Sequence, residues 1–335
     1  MISVIIPLYN KAHTIVNTLN TVMNQSYKDF EVIIVNDGST DNGVEKIINS
    51  FNDERIKIIS QENSGVSAAR NKGVEISKGD WISFIDGDDQ WHKDYLLIIN
   101  NVINKFKNIG LICTGGLCTN LKTNRIDYRI AKKYINQIVE INFFENPCVF
   151  SHTSGVTIKK DIFKAVHGFP LGMKCCEDYA CTQSIALITR TIYIGLPISK
   201  YVGGVEGQTT SIDAETRYKY LEYVVNYYNS VMDNFKYYRV ENKLFKIYFK
   251  YDIRHRIKGF LKDRNYRSLE YFLKSLSIEN LNLLNKFEKI LYKNHNRFLS
   301  ILFINITKII WRMHRFPIVG EKIDSKLISP RYKKW

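Results

Sequence analysis

The sequence has few cysteines and no segment typical of a secretory leader. Six cysteines occur among 335 residues, and their spacing suits neither a disulfide framework nor a common zinc site. Met1 is followed directly by the apolar run Ile2–Ile6, which lacks the basic segment with which a secretory signal begins. We therefore expect reduced cysteines and a cytoplasmic location.

The chain also lacks the short motifs of several enzyme classes. No P-loop and no Gly-x-Gly-x-x-Gly segment follows an apolar run, which argues against an NTPase and a dinucleotide enzyme. The seven histidines are scattered and form no His-Glu-x-x-His pair. Residues 298–311 are the most apolar stretch, but they are fewer than the ~20 residues that span a bilayer, and Lys308 interrupts them.

The net charge of +15 comes almost entirely from the last third of the chain. Residues 216–335 contain 26 Lys and Arg but only 10 Asp and Glu, whereas residues 1–215 are close to neutral. Such a change in composition marks a boundary between two parts of a chain. We therefore predict one domain over 1–215 and a basic, aromatic-rich helical region over 216–335.

Apolar runs and amphipathic stretches alternate along the first part of the chain. Continuous apolar runs such as Ser3–Leu8 are typical of strands buried on both faces of a parallel sheet. The alternation predicts an α/β fold, with a doubly wound, mostly parallel sheet flanked by helices. Strands are predicted at 3–8, 30–35, 55–59, 81–85 and 109–113, and helices around 15–23, 44–51, 66–77 and 92–106, with residues 39–41 as candidate N-caps of the second helix.

Polar and acidic residues follow these strands, at the sheet edge where ligands bind in such folds. Asn10 follows the first strand, Asp37 the second, and Asp86, Asp88 and Asp89 the fourth. Carboxylates at one strand end repel one another unless a cation or strong donors lie between them. The cluster fits a divalent ion with oxygen ligands, Mn²⁺ or Mg²⁺, and fits equally an acidic turn that caps the following helix.

Several blocks of sequence occur in an order that resembles the family 2 glycosyltransferases of the GT-A fold. The resemblance covers about residues 1–215 and is closest over roughly the first ninety. It implies a nucleotide-sugar-binding half over 1–115 and an acceptor half over 116–215. The blocks are Ser3–Asn10, Gln25, Glu31–Asp41, Asn63–Gly73, Phe84–Asp89, and Gly168–Pro170 followed by Glu177 and Asp178.

The resemblance implies roles on the donor side of the site. Asp37 would accept the uracil imide proton, Tyr9 would flank the base, and Arg70 would face the diphosphate. The residues alone also allow Asp37 to be a turn residue that bonds its own backbone, and Arg70 to form a surface ion pair. The nucleotide-sugar site is thereby predicted at Pro7, Tyr9, Asn10, Asp37, Ser39, Asn63, Arg70, Asp86, Gly87 and Asp88.

The resemblance also implies an inverting transfer that depends on Mn²⁺ or Mg²⁺. The metal site would consist of Asp88 with Asp86 close by, near the ribose or behind the ion, and the ion would stabilise the leaving diphosphate. Asp178 would be the general base for the acceptor hydroxyl, with Glu177 as the second candidate. Alternatively, these two acids belong to the first turn of a helix that runs to Leu187, where the helix dipole favours them.

One segment departs from the family pattern. Many relatives have an arginine or a histidine after the strand at 193–196, whereas residues 200–211 contain neither. The candidates for a phosphate contact there are Lys200, Gln208, Thr209 and Thr210. His152 lies among hydroxyl residues expected to face the acceptor and is a further candidate for testing.

The basic region 216–335 has three interpretations. An anionic membrane surface attracts basic residues by about 1 kcal/mol each, and basic aromatic helices lie in the membrane interface. A solvated helical face or a partner-binding surface explains the charge as well. Nucleic-acid binding has the least support, because no nucleic-acid motif occurs. Many relatives act on lipid-linked glycans, which favours a peripheral position at the inner face of the cytoplasmic membrane.

Two other functions are compatible with a metal and a diphosphate. A sugar-phosphate nucleotidyltransferase usually carries a Gly-rich basic loop after its first strand, whereas this chain has Pro7–Lys11 there. A non-catalytic sugar-nucleotide-binding protein would not need Asp86, Asp88 and Asp178 together. The sequence therefore predicts transfer of a sugar, from a UDP-sugar, to a hydroxyl of a glycan or lipid-linked glycan in polysaccharide biosynthesis.

Overall fold

The computed structural model of the protein describes residues 1–145, 149–150, 152–205, 220–313 and 323–332. The strands are β1 (Ile2–Leu8), β2 (Phe30–Asp37), β3 (Ile56–Gln61), β4 (Trp81–Phe84), β5 (Gln90–Trp91), β6 (Ile109–Asn120), β7 (Arg125–Arg129), β8 (Ile138–Ile141), β9 (Val156–Lys159) and β10 (Arg190–Gly203). The helices are α1 (Ile15–Met23), α2 (Gly43–Ser50), α3 (Val66–Ile76), α4 (Tyr95–Lys105), α5 (Lys160–Ala165), α6 (Glu177–Ile188), α7 (Leu221–Tyr237), α8 (Lys243–Lys262), α9 (Tyr266–Ser275), α10 (Ile278–Asn282), α11 (Lys286–Lys293) and α12 (Arg297–Met313).

The strands form a single sheet in the order β3-β2-β1-β4-β9-β6-β10-β5, with β7 beside β6 and β8 beside β10. Strands β3, β2, β1 and β4 are parallel to one another, and so are the long strands β6 and β10. The short strands β5, β7, β8 and β9 pair antiparallel with their neighbours. The predicted α/β fold with a mostly parallel central sheet is confirmed.

Apolar side chains cover both faces of the sheet, because successive residues of a strand point to opposite sides. On one face, Val4 and Ile6 of β1 belong to a cluster with Ile15 and Leu19 of α1 and with α4. On the other face, Ile5 belongs to a cluster that includes α3, α6 and helices from α7 to α12. The predicted C-terminal helical region is therefore present and shares a core with the sheet, while the domain boundary at residue 215 stays a prediction.

Helix α6 forms the main contact between the sheet and the C-terminal helices. Gln183 of α6 accepts a hydrogen bond from the Tyr227 hydroxyl of α7 at 2.9 Å and donates to the Tyr248 hydroxyl of α8 at 3.1 Å. Ser184 accepts a hydrogen bond from Asn234 at 2.9 Å. A satisfied polar network in a buried interface fixes the rotation of α6 against α7 and α8.

Strands β6 and β10 extend further than the sequence predicts. Strand β6 continues past Cys113 to Asn120, and β10 runs from Arg190 to Gly203. Glycine and polar residues after Cys113 interrupt the apolar run, but backbone pairing with β10 and β7 continues the strand.

The predicted N-cap of α2 is wrong. This helix begins at Gly43 and its N-cap is Asn42, outside the predicted range 39–41. Asp41 instead accepts hydrogen bonds from the amide of Ala12 at 2.8 Å and from the amide of Gly43 at 3.1 Å. Its carboxylate therefore ties the loop after β1 to the start of α2.

None of the described helices has both the length and the apolar composition needed to cross a bilayer. The apolar stretch 298–311 lies within α12. Ile304 of this stretch and Leu291 of α11 are buried in the core shared with the sheet.

Candidate active site

The loops after β1 and β2 meet in one hydrogen-bonded network at the sheet edge. The Asn10 side chain accepts from the Thr40 amide at 2.8 Å, and the Asn10 amide donates to Ser39 Oγ at 3.1 Å. Asn10 has a φ of 50°, in the left-handed region that asparagine tolerates better than most residues. Pro7 pairs with β2 as part of β1, and Tyr9 is 49% exposed beside the network. The Tyr9 ring is therefore accessible to a ligand.

The carboxylate of Asp37 at the end of β2 accepts three hydrogen bonds. Gln61 Nε2 donates at 2.7 Å, and the amides of Ser64 and Gly65 donate at 2.9 Å each. Asp37 is only 3% exposed and fastens the loop before α3, so it is not a residue that bonds only its own turn. An ionised carboxylate has about four acceptor positions, which leaves one direction for the predicted uracil contact. That contact stays a prediction.

Gly38 allows this loop to approach β2 closely. Its φ is 70°, and a Cβ at this position would lie 2.9 Å from the backbone nitrogen of Asn63. Both the left-handed backbone and the short approach favour glycine. Asn63, a predicted donor-side residue, is thereby held beside the end of β2 with its side chain exposed.

Residues 86–89 form a tight turn directly after β4. The Asp89 amide donates to the Asp86 carbonyl at 3.0 Å, and Thr14 Oγ1 donates to the Gly87 carbonyl at 2.8 Å. The turn is therefore fastened to the start of α1. This geometry places the predicted metal site next to the loop that holds Tyr9 and Asn10.

The Asp88 carboxylate forms an ion pair with Lys11, which lies in the loop after β1. Lys11 Nζ is 2.8 Å from Asp88 Oδ2, and the two side chains are 15% and 8% exposed. An ammonium group is a strong donor that relieves repulsion between neighbouring carboxylates. The crowding of acidic residues in this turn therefore does not by itself require a metal ion.

Arg70 is buried between two carboxylates. Its Nη2 lies 2.7 Å from Asp86 Oδ1 and its Nη1 lies 3.2 Å from Glu177 Oε1, while its guanidinium lies over the ring of Phe169. Burial disfavours the positive charge, but Asp86 and Glu177 outweigh it and hold the pKa of Arg70 above its ordinary value. The alternative of a surface ion pair is wrong, because the Arg70 side chain is only 4% exposed. The diphosphate contact of Arg70 stays a prediction.

A second contact joins the same two parts of the chain. The Asn71 amide group donates to the Phe169 carbonyl at 2.8 Å and accepts from the Phe169 amide at 2.9 Å. The block 63–73 and the block at 168–170, which resemble separate family motifs, are thus physically joined.

Asp89 points to the protein interior and contributes to the framework of the turn. Ser154 Oγ donates to Asp89 Oδ2 at 2.5 Å, and the Val202 amide donates to Asp89 Oδ1 at 3.1 Å. Burial and the negative charges of Asp86 and Asp88 raise the pKa of Asp89. Ser154 Oγ also accepts from the Asp86 amide at 3.1 Å, so it joins both ends of the turn.

Asp178 lies in the first turn of α6. The helix begins after Cys176, whose φ of 65° is left-handed, and the Tyr179 amide donates to Asp178 Oδ1 at 2.8 Å. Burial and the neighbouring charge of Glu177 raise the pKa of Asp178 to about 7. Glu177 and Asp178 do occupy the predicted helix start, but a helix dipole alone would lower the pKa of an acid there. A carboxylate that titrates near neutral pH suits a general base.

The remaining candidates are weaker. Burial lowers the pKa of His152 to about 4, so its imidazole is neutral at neutral pH. Lys200 donates to Gln90 Oε1 at 3.0 Å, and burial lowers its pKa. The other candidates for a phosphate contact, Gln208, Thr209 and Thr210, lie outside the described residues.

The residues of this site fit a divalent ion as part of a complex with a phosphate ligand. Within the described ranges, no group of three or more His, Cys, Asp or Glu side chains is arranged to hold a metal ion. Mg²⁺ and similar ions are often held by one or two carboxylates plus substrate phosphates. Asp88 offers hard oxygen donors of this kind, and Asp86 lies in the same turn. The chemistry of these donors therefore suits Mn²⁺ or Mg²⁺ as part of a complex with a nucleotide diphosphate.

Two residues of the site were missed by reasoning from the sequence. Lys11 directly follows the Pro7–Asn10 block, so a cation next to the predicted nucleotide-sugar site was a usable signal. Ser154 carries no such signal, because its partners Asp86 and Asp89 lie more than sixty positions earlier in the chain.

Comparison with known proteins shows which family the chain resembles in sequence. The sequence model described as glycosyl transferase family 2 matches residues 3–166. Glycosyltransferase GlyG of Streptococcus pneumoniae is 40% identical over 216 residues, which are 58% of this chain and 68% of GlyG. The amylovoran biosynthesis glycosyltransferase AmsB of Erwinia amylovora is 37% identical over 114 residues, 32% of this chain and 37% of AmsB. The chain thus spans less than two thirds of the length of several curated relatives that it matches.

Among solved structures, residues 1–349 of TarS from S. aureus in complex with UDP-GlcNAc superpose with a TM-score of 0.66. The match covers 98% of this chain and 99% of that chain at 16% sequence identity. At this identity the similarity establishes the fold, including the arrangement of a sheet domain followed by C-terminal helices.

Proposed function

Because this chain belongs to glycosyltransferase family 2, we propose that it transfers a sugar from a nucleotide diphosphate donor, a UDP-sugar, to a hydroxyl of a glycan or lipid-linked glycan in polysaccharide biosynthesis. The relatives named for polysaccharide synthesis support the pathway class. The TarS complexes with UDP and UDP-GlcNAc support the choice of nucleotide.

The observation that carries the proposal is the position of Arg70. Its guanidinium contacts Asp86, on the donor-side turn, and Glu177, at the start of the helix that bears Asp178. Arg70 therefore connects the turn to α6. A donor bound at the turn and an acceptor bound near α6 would be held in fixed positions relative to each other. Fixed positioning of two reactants is a major source of rate acceleration.

Asp178 is the proposed general base. A sugar hydroxyl is a poor nucleophile at neutral pH, so a carboxylate must take its proton as the new glycosidic bond forms. The pKa of about 7 leaves a substantial fraction of Asp178 ionised at neutral pH and makes it a stronger base than an ordinary aspartate. Direct attack from the side opposite the leaving diphosphate would invert the anomeric configuration.

The donor would lie along the ends of β1, β2 and β4. Tyr9 would stack on the base, and the fourth acceptor direction of Asp37 would take the uracil imide proton. Asp88 would hold Mn²⁺ or Mg²⁺, with Asp86 close by, and the bound ion would stabilise the charge of the leaving diphosphate. The basic helices after residue 216 would hold the enzyme at an anionic membrane surface, near a lipid-linked acceptor.

An assay of product release tests the proposal and its main alternative. Purified protein is incubated with UDP-, GDP- and dTDP-sugars, with Mn²⁺, Mg²⁺ or EDTA, and with candidate glycan acceptors. A glycosyltransferase releases free nucleoside diphosphate, whereas a sugar-phosphate nucleotidyltransferase consumes or releases pyrophosphate. Release of UDP that is lost in Asp178→Asn supports the proposal. Pyrophosphate chemistry, or turnover that Asp178→Asn retains in full, contradicts it.

A further inference from the structure

The ion pair between Lys11 and Asp88 occupies one of the two carboxylate oxygens on which a metal ion could bind. Lys11 Nζ lies 2.8 Å from Asp88 Oδ2, and both side chains are largely buried. A divalent cation on Oδ2 would place two positive centres within a few ångströms of each other, where burial strengthens their repulsion. The ammonium and the divalent cation therefore compete for the charge of the Asp88 carboxylate.

The pair is held in place by the surrounding loops. Thr14 fastens the turn through the Gly87 carbonyl at 2.8 Å, and the Cα position of Gly87 faces Lys11, since a Cβ there would lie 3.6 Å from the Lys11 Cβ. Removing the positive charge of Lys11 would leave the Asp88 carboxylate in the same place. The competition between the Lys11 ammonium and a divalent cation therefore depends on the two side chains, and a change at Lys11 need not alter the loop.

Lys11 differs from Arg70, another cation of the cluster. Arg70 is bound by two carboxylates, Asp86 and Glu177, and its planar guanidinium is fixed by both. Lys11 carries a point charge on a flexible stem that starts in the loop after β1, beside the proposed diphosphate position. Rotation about its side-chain bonds can therefore carry the Lys11 ammonium from a carboxylate to a phosphate oxygen.

We propose that Lys11 is the resident counter-ion of Asp88, and that it moves to the donor's diphosphate when a divalent cation binds Asp88. The cation and the nucleotide diphosphate then bind synergistically, and each is weak without the other. This mode of binding rests on the proposed function, because it assumes that a nucleotide diphosphate binds at this turn. It goes beyond that function by assigning Lys11 as the residue that couples the two ligands.

Mn²⁺ binding without any sugar tests the inference. Titration calorimetry or the EPR signal of free Mn²⁺ gives the affinity of the wild-type protein and of Lys11→Met, each with and without UDP. Lys11→Met is expected to bind Mn²⁺ about tenfold more tightly than the wild type when UDP is absent, because the competing ion pair is gone. UDP is expected to raise the Mn²⁺ affinity of the wild type by a larger factor than that of Lys11→Met, since the variant has lost the coupling residue.

Lys46→Met is the matched control. It removes the same charge from the same side of the sheet, but Lys46 is exposed and donates to the Ala12 carbonyl at 2.9 Å, not to a carboxylate. It should behave as the wild type. In an Asp88→Asn background, Lys11→Met should no longer change Mn²⁺ binding, as a double-mutant cycle requires for two residues that act on each other.

Equal or weaker Mn²⁺ binding by Lys11→Met, at an unchanged melting temperature, would overturn the inference. The Mn²⁺ affinity of Lys11→Gln is measured in parallel, and it replaces the measurement on Lys11→Met if that variant does not fold. Absence of Mn²⁺ binding to every variant overturns it as well, while UDP release in the product assay would still support a transferase. Synergistic binding of Mn²⁺ and UDP without turnover of any UDP-sugar would instead keep the inference and reject the proposed reaction.

Discussion

The guanidinium of Arg70 contacts the carboxylate of Glu177 at 3.2 Å, although the two residues are 107 positions apart in the chain. Through this contact, the helix after β3 supports the first turn of α6, where Asp178 lies. The position of the proposed general base therefore depends on a residue of the donor-binding half.

Replacing Arg70 by methionine should strongly destabilise the protein. It leaves Glu177, which is 13% exposed, and Asp86, which is 32% exposed, without the buried cation that both contact. Breaking a fully buried pair costs about 3–5 kcal/mol, and the partial exposure of Asp86 places the expected loss toward the lower end of that range. Chemical denaturation of the variant measures the loss. Arg55→Met is the control, because Arg55 pairs with Asp53 in a more exposed position, where such pairs contribute about 0–1 kcal/mol. Equal losses for the two variants would contradict the buried network.

The rate of transfer should depend on pH through Asp178. A general base must be ionised, so kcat/KM should rise with pH and level off above an apparent pKa of about 7. The free energy of unfolding changes with pH in the opposite direction. The folded protein binds the proton of Asp178 more tightly than the unfolded chain does. The contribution of Asp178 to the free energy of unfolding therefore falls as pH rises from about 4 to about 7. A pH–rate profile checks the first statement, and a rate that is flat between pH 5 and 9 contradicts it.

Substitutions of the two neighbouring acids should have different effects. Asp178→Asn removes the base and should lower kcat by about 10²–10⁴-fold with little loss of stability. Glu177→Gln removes a partner of Arg70 and should mainly lower the melting temperature, with a smaller effect on kcat. Steady-state kinetics and thermal unfolding of both variants distinguish the roles. A larger loss of kcat in Glu177→Gln would move the base assignment to Glu177.

The basic C-terminal region predicts binding to anionic membranes. Vesicles that contain anionic lipid should bind the protein at low salt and release it at high salt, since salt screens charge attraction. Cosedimentation measures the bound fraction, and vesicles of neutral lipid are the control. No binding to anionic vesicles at any salt concentration would leave a partner surface or a solvated face as the explanation of the charge.

The sheet and the ends of its strands could be predicted because they follow from local patterns. Continuous apolar runs such as Phe30–Val35 identify buried strands, and the polar residues that follow them lie at one edge of a parallel sheet. The acidic turn at 86–89 was located in this way, whereas the helix start at Glu177 was one of two interpretations of an acidic pair that the family resemblance singled out.

The partners of these residues could not be predicted, because they come from distant positions. Lys11 and Asp88 are 77 residues apart, and Ser154 and Asp89 are 65 apart. Periodicity gives the direction in which a side chain points relative to its own element, but not which distant residue lies opposite. The same limit hid the charge balance of the cluster, in which Lys11 and Arg70 supply positive charge.

A crystal structure with UDP and Mn²⁺ tests the central claim most directly, because Mn²⁺ can be located by its anomalous scattering. We expect the ion on the Asp88 carboxylate and on both phosphoryl groups of UDP, with the Lys11 ammonium moved from Asp88 to a phosphate oxygen. An ion bound elsewhere, or UDP bound at this turn with the Lys11–Asp88 pair intact and no ion, would contradict the account.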